Sequence, residues 1–220
     1  RYITEKLRIS KSNRPSDNYH PKTKAELKEL LKQLIEERGN DADFNDINVS
    51  KITDMSELFK DMKEFNGDIS KWDVSNVENM EDMFLHCKSF NQPLNDWNVS
   101  KVENMEYMFN KCKSFNQDLS KWNVSKVSSM YSMFASCETF NQDITIGNVS
   151  NVRDMGFMFE SCESFNQDIV LYAKWVERKL ENATVAIYGD SISTFAGYIP
   201  DNFPYYYPQA TLDVKVVGDT

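Results

Sequence analysis

From Asp41 to about Val170 the apolar residues return on a fixed beat. Phe65, Phe90, Phe115, Phe140 and Phe165 stand 25 residues apart, and the positions between them keep step. A constant period of this length marks a stack of repeated units, none of which buries its apolar face alone. Two rhythms alternate inside each unit. Ile69-Ser70-Lys71-Trp72-Asp73-Val74 reads as a short strand region. Val77, Met80, Met83, Phe84 and Cys87 follow at helical spacing, and this predicts a helix of roughly three turns. Ser75 with Glu78, and Ser100 with Glu103, have the form of capping boxes at its start. The fold expected is an α/β repeat solenoid, leucine-rich-repeat-like, with short parallel strands in one layer and short helices in another.

Ahead of the array, Leu27, Leu30, Leu31, Leu34 and Ile35 form one apolar stripe and predict a helix over about 22–38. Thr23 with Glu26 fits its start and Gly39-Asn40 its end. A lone amphipathic helix placed here would cap the open face of the first unit. That unit is degenerate: Val49, Ile52, Met55, Leu58, Phe59 and Met62 stand where later units have Val74, Val77, Met80, Met83, Phe84 and Cys87. The expected organisation is a polar segment and capping helix over 1–40, about five turns of solenoid over 41–170, and a partial α/β segment over 171–220. In that last segment 170–182 reads as a helix and 183–188 as a buried-type strand.

The columns suggest their own roles. Trp72, Trp97 and Trp122 would stack along one edge, with Gly147 breaking the series. All ten methionines fall at repeat positions and read as core, as do Cys87, Cys112, Cys137 and Cys162. The cysteines lack the close pairing of a zinc site. Asn66, Asn91, Asn116, Asn141 and Asn166 would form a ladder satisfying backbone groups at a corner. Asp68, Asp118, Asp143 and Asp168, interrupted by Pro93, read as turn residues, with a calcium site as the rival.

Charge narrows the partners. Residues 41–170 carry eleven Lys and Arg against twenty-two Asp and Glu. A net −11 repels phosphate backbones and argues against nucleic acid. No apolar run approaches the roughly 18 residues of a membrane helix, so no membrane span is expected. The first residues have no apolar h-region, so no signal peptide is read there. No cofactor or metal is implied.

The unit FNQDLSKWNVSKVSSMYSMFASCETF resembles the repeat of BspA-family leucine-rich-repeat surface proteins, also known as a domain of unknown function, DUF285. PKTKAELKELLKQLIEERG is similar to the helix that often precedes such arrays. The resemblance covers about residues 21–170. It implies a protein on the bacterial cell surface or secreted, acting as a protein-binding or adhesion scaffold toward a protein or glycan. The recurring Asn-Val-Ser triplets are then products of the repeat rather than glycosylation sites. Ligand-reading positions would be exposed and variable, such as Lys71, Asp96 and Lys121, and Asp73, Asn98 and Asn123, beside the Trp column.

A second signal lies near the C-terminus. Ala183–Ser193, with Gly189-Asp190-Ser191 after a strand, is similar to the first block of the SGNH/GDSL hydrolases. That resemblance makes Ser191 a candidate nucleophile, with Gly189 and Asp190 in its turn. A serine needs a base, which that family carries as Asp-x-x-His near its C-terminus. Only 29 residues follow Ser191, and the two histidines, His20 and His86, lie upstream. The chain as it stands is therefore expected to be non-catalytic. The alternative is a solenoid-targeted esterase whose catalytic domain is truncated here.

Overall fold

The structure is a computed structural model that describes residues 18–143, 145–166 and 170–172. Near the start of the described residues Tyr19 is bridged in parallel to Ile47. Helix α1, Lys24–Arg38, follows. Thr23 caps it, accepting from the Glu26 N–H at 3.2 Å, and Gly39 ends it at φ 91°, in the left-handed region that suits glycine. Leu27, Leu30, Leu31 and Leu34 are buried against the first unit. Lys24 reaches Asp54 and Ser56, and Lys28 donates to the Glu57 carbonyl, so the helix also meets the polar edge of that unit. Arg38 clamps Asp46 with two hydrogen bonds, at 2.9 and 3.0 Å, and lies over the Tyr19 ring.

The units that follow do stack at the 25-residue interval, but not as strands and helices. Among the described residues α1 is the one helix. The α/β solenoid with a strand and a helix in each turn is thus overturned. Asp54, Asn79, Asn104, Ser129 and Asp154 are joined only by isolated parallel bridges, one residue per unit. The stretch expected as a helix runs as consecutive tight turns. Met83 N–H bonds back to the Met80 carbonyl, and Cys87 to Phe84, each three residues away. Between these turns the chain bonds outward. The N–H groups of Met80, Asp82, Phe84 and His86 donate to the carbonyls of Asn104, Glu106, Met108 and Asn110 in the next unit, at 2.9 to 3.0 Å.

The backbone shows how the turns stay flat. Asp82 and His86 have positive φ, and so do Tyr107 and Lys111, Ser132 and Ser136, and their counterparts in the first and last units. A left-handed residue stands third in each of these turns and breaks the right-handed run that a helix needs. Each such residue costs a non-glycine side chain about 1–2 kcal/mol, which the hydrogen bonds between units offset. Apolar residues three or four apart share a face in either arrangement, so the periodicity fits both. The proposed capping boxes start no helix: the N–H groups of Glu78 and Glu103 bond to Thr53 and Glu78 in the preceding units.

Two phenylalanine columns form the centre of the core. Phe59, Phe84, Phe109, Phe134 and Phe159 stack at 5.3–5.6 Å between centroids. Phe65, Phe90, Phe115, Phe140 and Phe165 stack at 5.9–6.1 Å beside them. Trp72, Trp97 and Trp122 are buried against the first column rather than stacked on one another along an edge. Each indole N–H donates to a carbonyl of the preceding unit, that of Phe44, Ile69 or Leu94. Phe44 takes the place of the smaller Ile69 and Leu94, and Gly67 makes room: a Cβ there would lie 2.3 Å from the Phe44 ring.

The polar columns close the corners. The side-chain oxygens of Asn66, Asn91, Asn116 and Asn141 each accept the N–H of the next asparagine at 2.9 Å, which is the expected ladder. Gln92, Gln117 and Gln142 reinforce it by donating to the asparagine one unit back. Toward the C-terminal end Thr145–Asn148 (β1) pairs in parallel with Val170–Tyr172 (β2), with an irregularity between Ile146 and Asn148 where Gly147 stands. Val170–Tyr172 therefore continues the register in place of beginning the helix expected from 170. The rest of the segment expected as helix, strand and hydrolase-like turn lies outside the described residues.

Candidate functional site

The positions expected to read a ligand are all exposed: Lys71, Asp73, Asp96, Asn98, Lys121 and Asn123. Half of them serve the backbone. Asp73, Asn98 and Asn123 accept the N–H of Ser75, Ser100 and Ser125 at 3.1–3.2 Å, closing Asx turns. Lys121 pairs with Asp96 at 2.8 Å, with both side chains more than half exposed, an arrangement that contributes little in water. This edge is thus a regular, well-solvated row of turns. The hydrolase-like residues Gly189, Asp190 and Ser191 lie outside the described residues.

The other chemically suggestive groups have structural duties. The Asp43, Asp68 and Asp118 carboxylates each accept the N–H two residues on, at 2.7–2.9 Å, in turns of the same kind. No group of three His, Cys, Asp or Glu side chains is placed to hold a metal ion among the described residues. All four cysteines are free and buried, and each thiol donates to a carbonyl of the preceding unit at 2.9–3.0 Å. Burial pushes the Cys162 thiol up to about 12 and raises the other three well above the usual thiol range, so none is a thiolate nucleophile at neutral pH. His86 Nδ1 meets Asp61 at 2.6 Å across one unit boundary, and that contact holds the Asp61 carboxyl below its ordinary range.

A second face, not singled out from the sequence, also varies along the stack. On the flat turns, the residues between the core positions differ from unit to unit. One column runs Ser56, Glu81, Glu106, Tyr131, Gly156, and the next runs Glu57, Asp82, Tyr107, Ser132, Phe157. The core columns beside them scarcely change. Tyr107, Tyr131 and Phe157 gather as a partly exposed aromatic patch, with ring centroids 5.3 and 5.6 Å apart and near-perpendicular planes. The Tyr131 ring lies over Gly156, where a Cβ would come within 3.1 Å of it. Carboxylates adjoin the patch. Lys60 neutralises Asp82 and Glu57, at 2.7 and 3.0 Å. Glu81 and Glu106 have no cation within ion-pairing distance among the described residues, and Asn104 donates to Glu81 at 3.4 Å. Burial, helped by Asp82, Glu106 and Glu57, raises Glu81 above its ordinary value. Burial also raises Tyr107, with Tyr131 and Glu106 adding to the effect. The signal available in the sequence was this variation between units of one chain, set against the constancy of the core.

No described helix is long and apolar enough to cross a membrane. No curated protein and no solved structure matches the chain. One family does, described as Mycoplasma protein of unknown function, DUF285, and it matches residues 26–146 and again 101–194. Those spans take in the cap, all the stacked units and the β1–β2 pair, and the chain belongs to this family.

Proposed function

We propose that the stack is a binding scaffold of a bacterial surface or secreted protein, holding a protein or glycan ligand on its side and doing no chemistry of its own. One observation carries this reading: a constant core supports a face whose residues vary along the stack. Constant Phe, Met, Cys and Val columns and Asn ladders make a stiff frame, and variation concentrated outside the core is what ligand reading requires. The buried neutral thiols and the Asp side chains committed to turns favour a non-catalytic role. Net negative charge over the array disfavours nucleic acid as the partner.

Immobilising the chain and presenting it with panels of proteins and glycans tests this. The reading expects saturable binding that survives Ser191→Ala. Turnover of p-nitrophenyl acetate that is lost in Ser191→Ala, with no ligand retained from either panel, would overturn it in favour of an esterase.

A further inference from the structure

We propose that the face bearing Tyr107, Tyr131, Phe157, Glu81 and Glu106 docks a Lys- or Arg-rich segment of a partner protein. This rests on the scaffold reading and names the partner's chemistry. Three observations converge on one place. The aromatic rings stand edge to face and partly exposed, so their uncovered surface can pack on a cation or on the aliphatic stem of a long basic side chain. Glu81 and Glu106 lie on the adjoining units without an ion-paired cation among the described residues, whereas Lys60 bonds to Asp82 and Glu57 beside them and reaches Glu81 only through space. The array as a whole is strongly acidic, which steers a basic segment toward it.

The geometry also discriminates. A neutral glycan would use the rings and hydrogen-bond to the carboxylates without needing their charge, while a metal ion would use the carboxylates and be indifferent to the rings. A guanidinium or ammonium group uses both, since it pairs with a carboxylate and packs on an aromatic face. Burial already raises Glu81, and an arriving cation would relieve that cost.

A fluorescein-labelled peptide of alternating Gly and Lys/Arg, with a Gly/Glu peptide of equal length as control, tests the assignment by fluorescence anisotropy on the full chain. The basic peptide should bind and the acidic one should not. Binding should weaken about tenfold in the isosteric pair Glu81→Gln/Glu106→Gln and about tenfold in Tyr107→Ala/Tyr131→Ala. It should fade as salt rises to about 1 M, where the screening length falls to about 3 Å. Glu29→Gln, a matched charge removal on the exposed side of α1, should weaken it by less than about twofold. A melt of each variant checks folding, and the Gln pair leaves packing untouched. Basic-peptide binding that is absent, or equally strong in both variants, would overturn the assignment. So would glycan binding lost in the Tyr pair and kept in the Gln pair. A ligand from the panels that is insensitive to both pairs would leave the scaffold standing and remove only this face.

Discussion

Helix α1 and the turn region of each repeat carry the same apolar spacing and fold differently. Over Lys24–Arg38 the stripe is set in Ala, Leu, Lys, Glu and Gln, good helix formers with no competing side chain in the middle. Over Val77–Cys87 it is set among Asn79 and Asp82. Asn79 accepts the Glu81 N–H at 3.0 Å, and Asp82 takes positive φ. Asn and Asp offer the backbone an alternative to the helical bond, and neighbouring units offer carbonyls to receive the freed N–H groups. The helix satisfies its backbone within itself, whereas the unit satisfies its backbone through its neighbours. The repeat thus derives its stability from contacts between units, and the cap derives part of its stability from its own turns.

That contrast can be broken at its strongest point. Phe109 stacks on Phe84, Phe115 and Phe134, bridging three units. Phe109→Ala should lower the unfolding free energy by about 3–5 kcal/mol. The same denaturant titration should show Glu29→Ala, on the exposed side of α1, within about 0.5 kcal/mol of the parent. The asparagine ladder comes next. Asn91 serves the Asn116 N–H and the Gln117 amide with one oxygen. Asn91→Ala strands both donors and should cost about 1–3 kcal/mol, read from the shift in urea midpoint.

Much of this was legible in the chain. The Phe, Met, Cys and Asn columns announce themselves because four or five units repeat the same residue at the same phase, and each has the core or ladder role that its chemistry suggests. The turn-forming part was not legible. Met80, Met83, Phe84 and Cys87 share a face whether the chain coils or turns, and the left-handed positions hold Asp, His, Tyr, Lys and Ser, with no glycine to mark them. The turn duties of the exposed residues beside the Trp column were hidden for a related reason. The exposed residues beside Trp72 attract attention, but Asp73, Asn98 and Asn123 close turns. Tyr107, Tyr131 and Phe157 become neighbours only when the units lie flat.

The seam between the two regions gives a smaller effect, and it depends on pH. Burial pushes the Asp46 carboxyl up, but hydrogen bonds from Arg38 and Asn18 outweigh it and leave the group below its ordinary 3.8. A depressed carboxylate adds stability that is present above that ordinary value and is lost as pH falls through the folded one. Stability should therefore drop below about pH 4, and Asp46→Asn should remove about 1 kcal/mol of that acid-sensitive part. Melting temperature against pH for the two proteins measures it.

Paired glycine substitutions test the flat turn most directly. Lys32 is exposed within α1, and Lys111 is exposed at φ 61° in the repeat. In a helix, Lys32→Gly should cost about 1 kcal/mol. At Lys111 the lysine already bears the left-handed strain that glycine escapes. Lys111→Gly should therefore raise stability by about 0.5 kcal/mol, the strain relieved exceeding the entropy that glycine loses. Opposite signs in one urea series are the predicted result. A loss of about 1 kcal/mol at both sites would mean that the repeat segment is helical and would contradict the account.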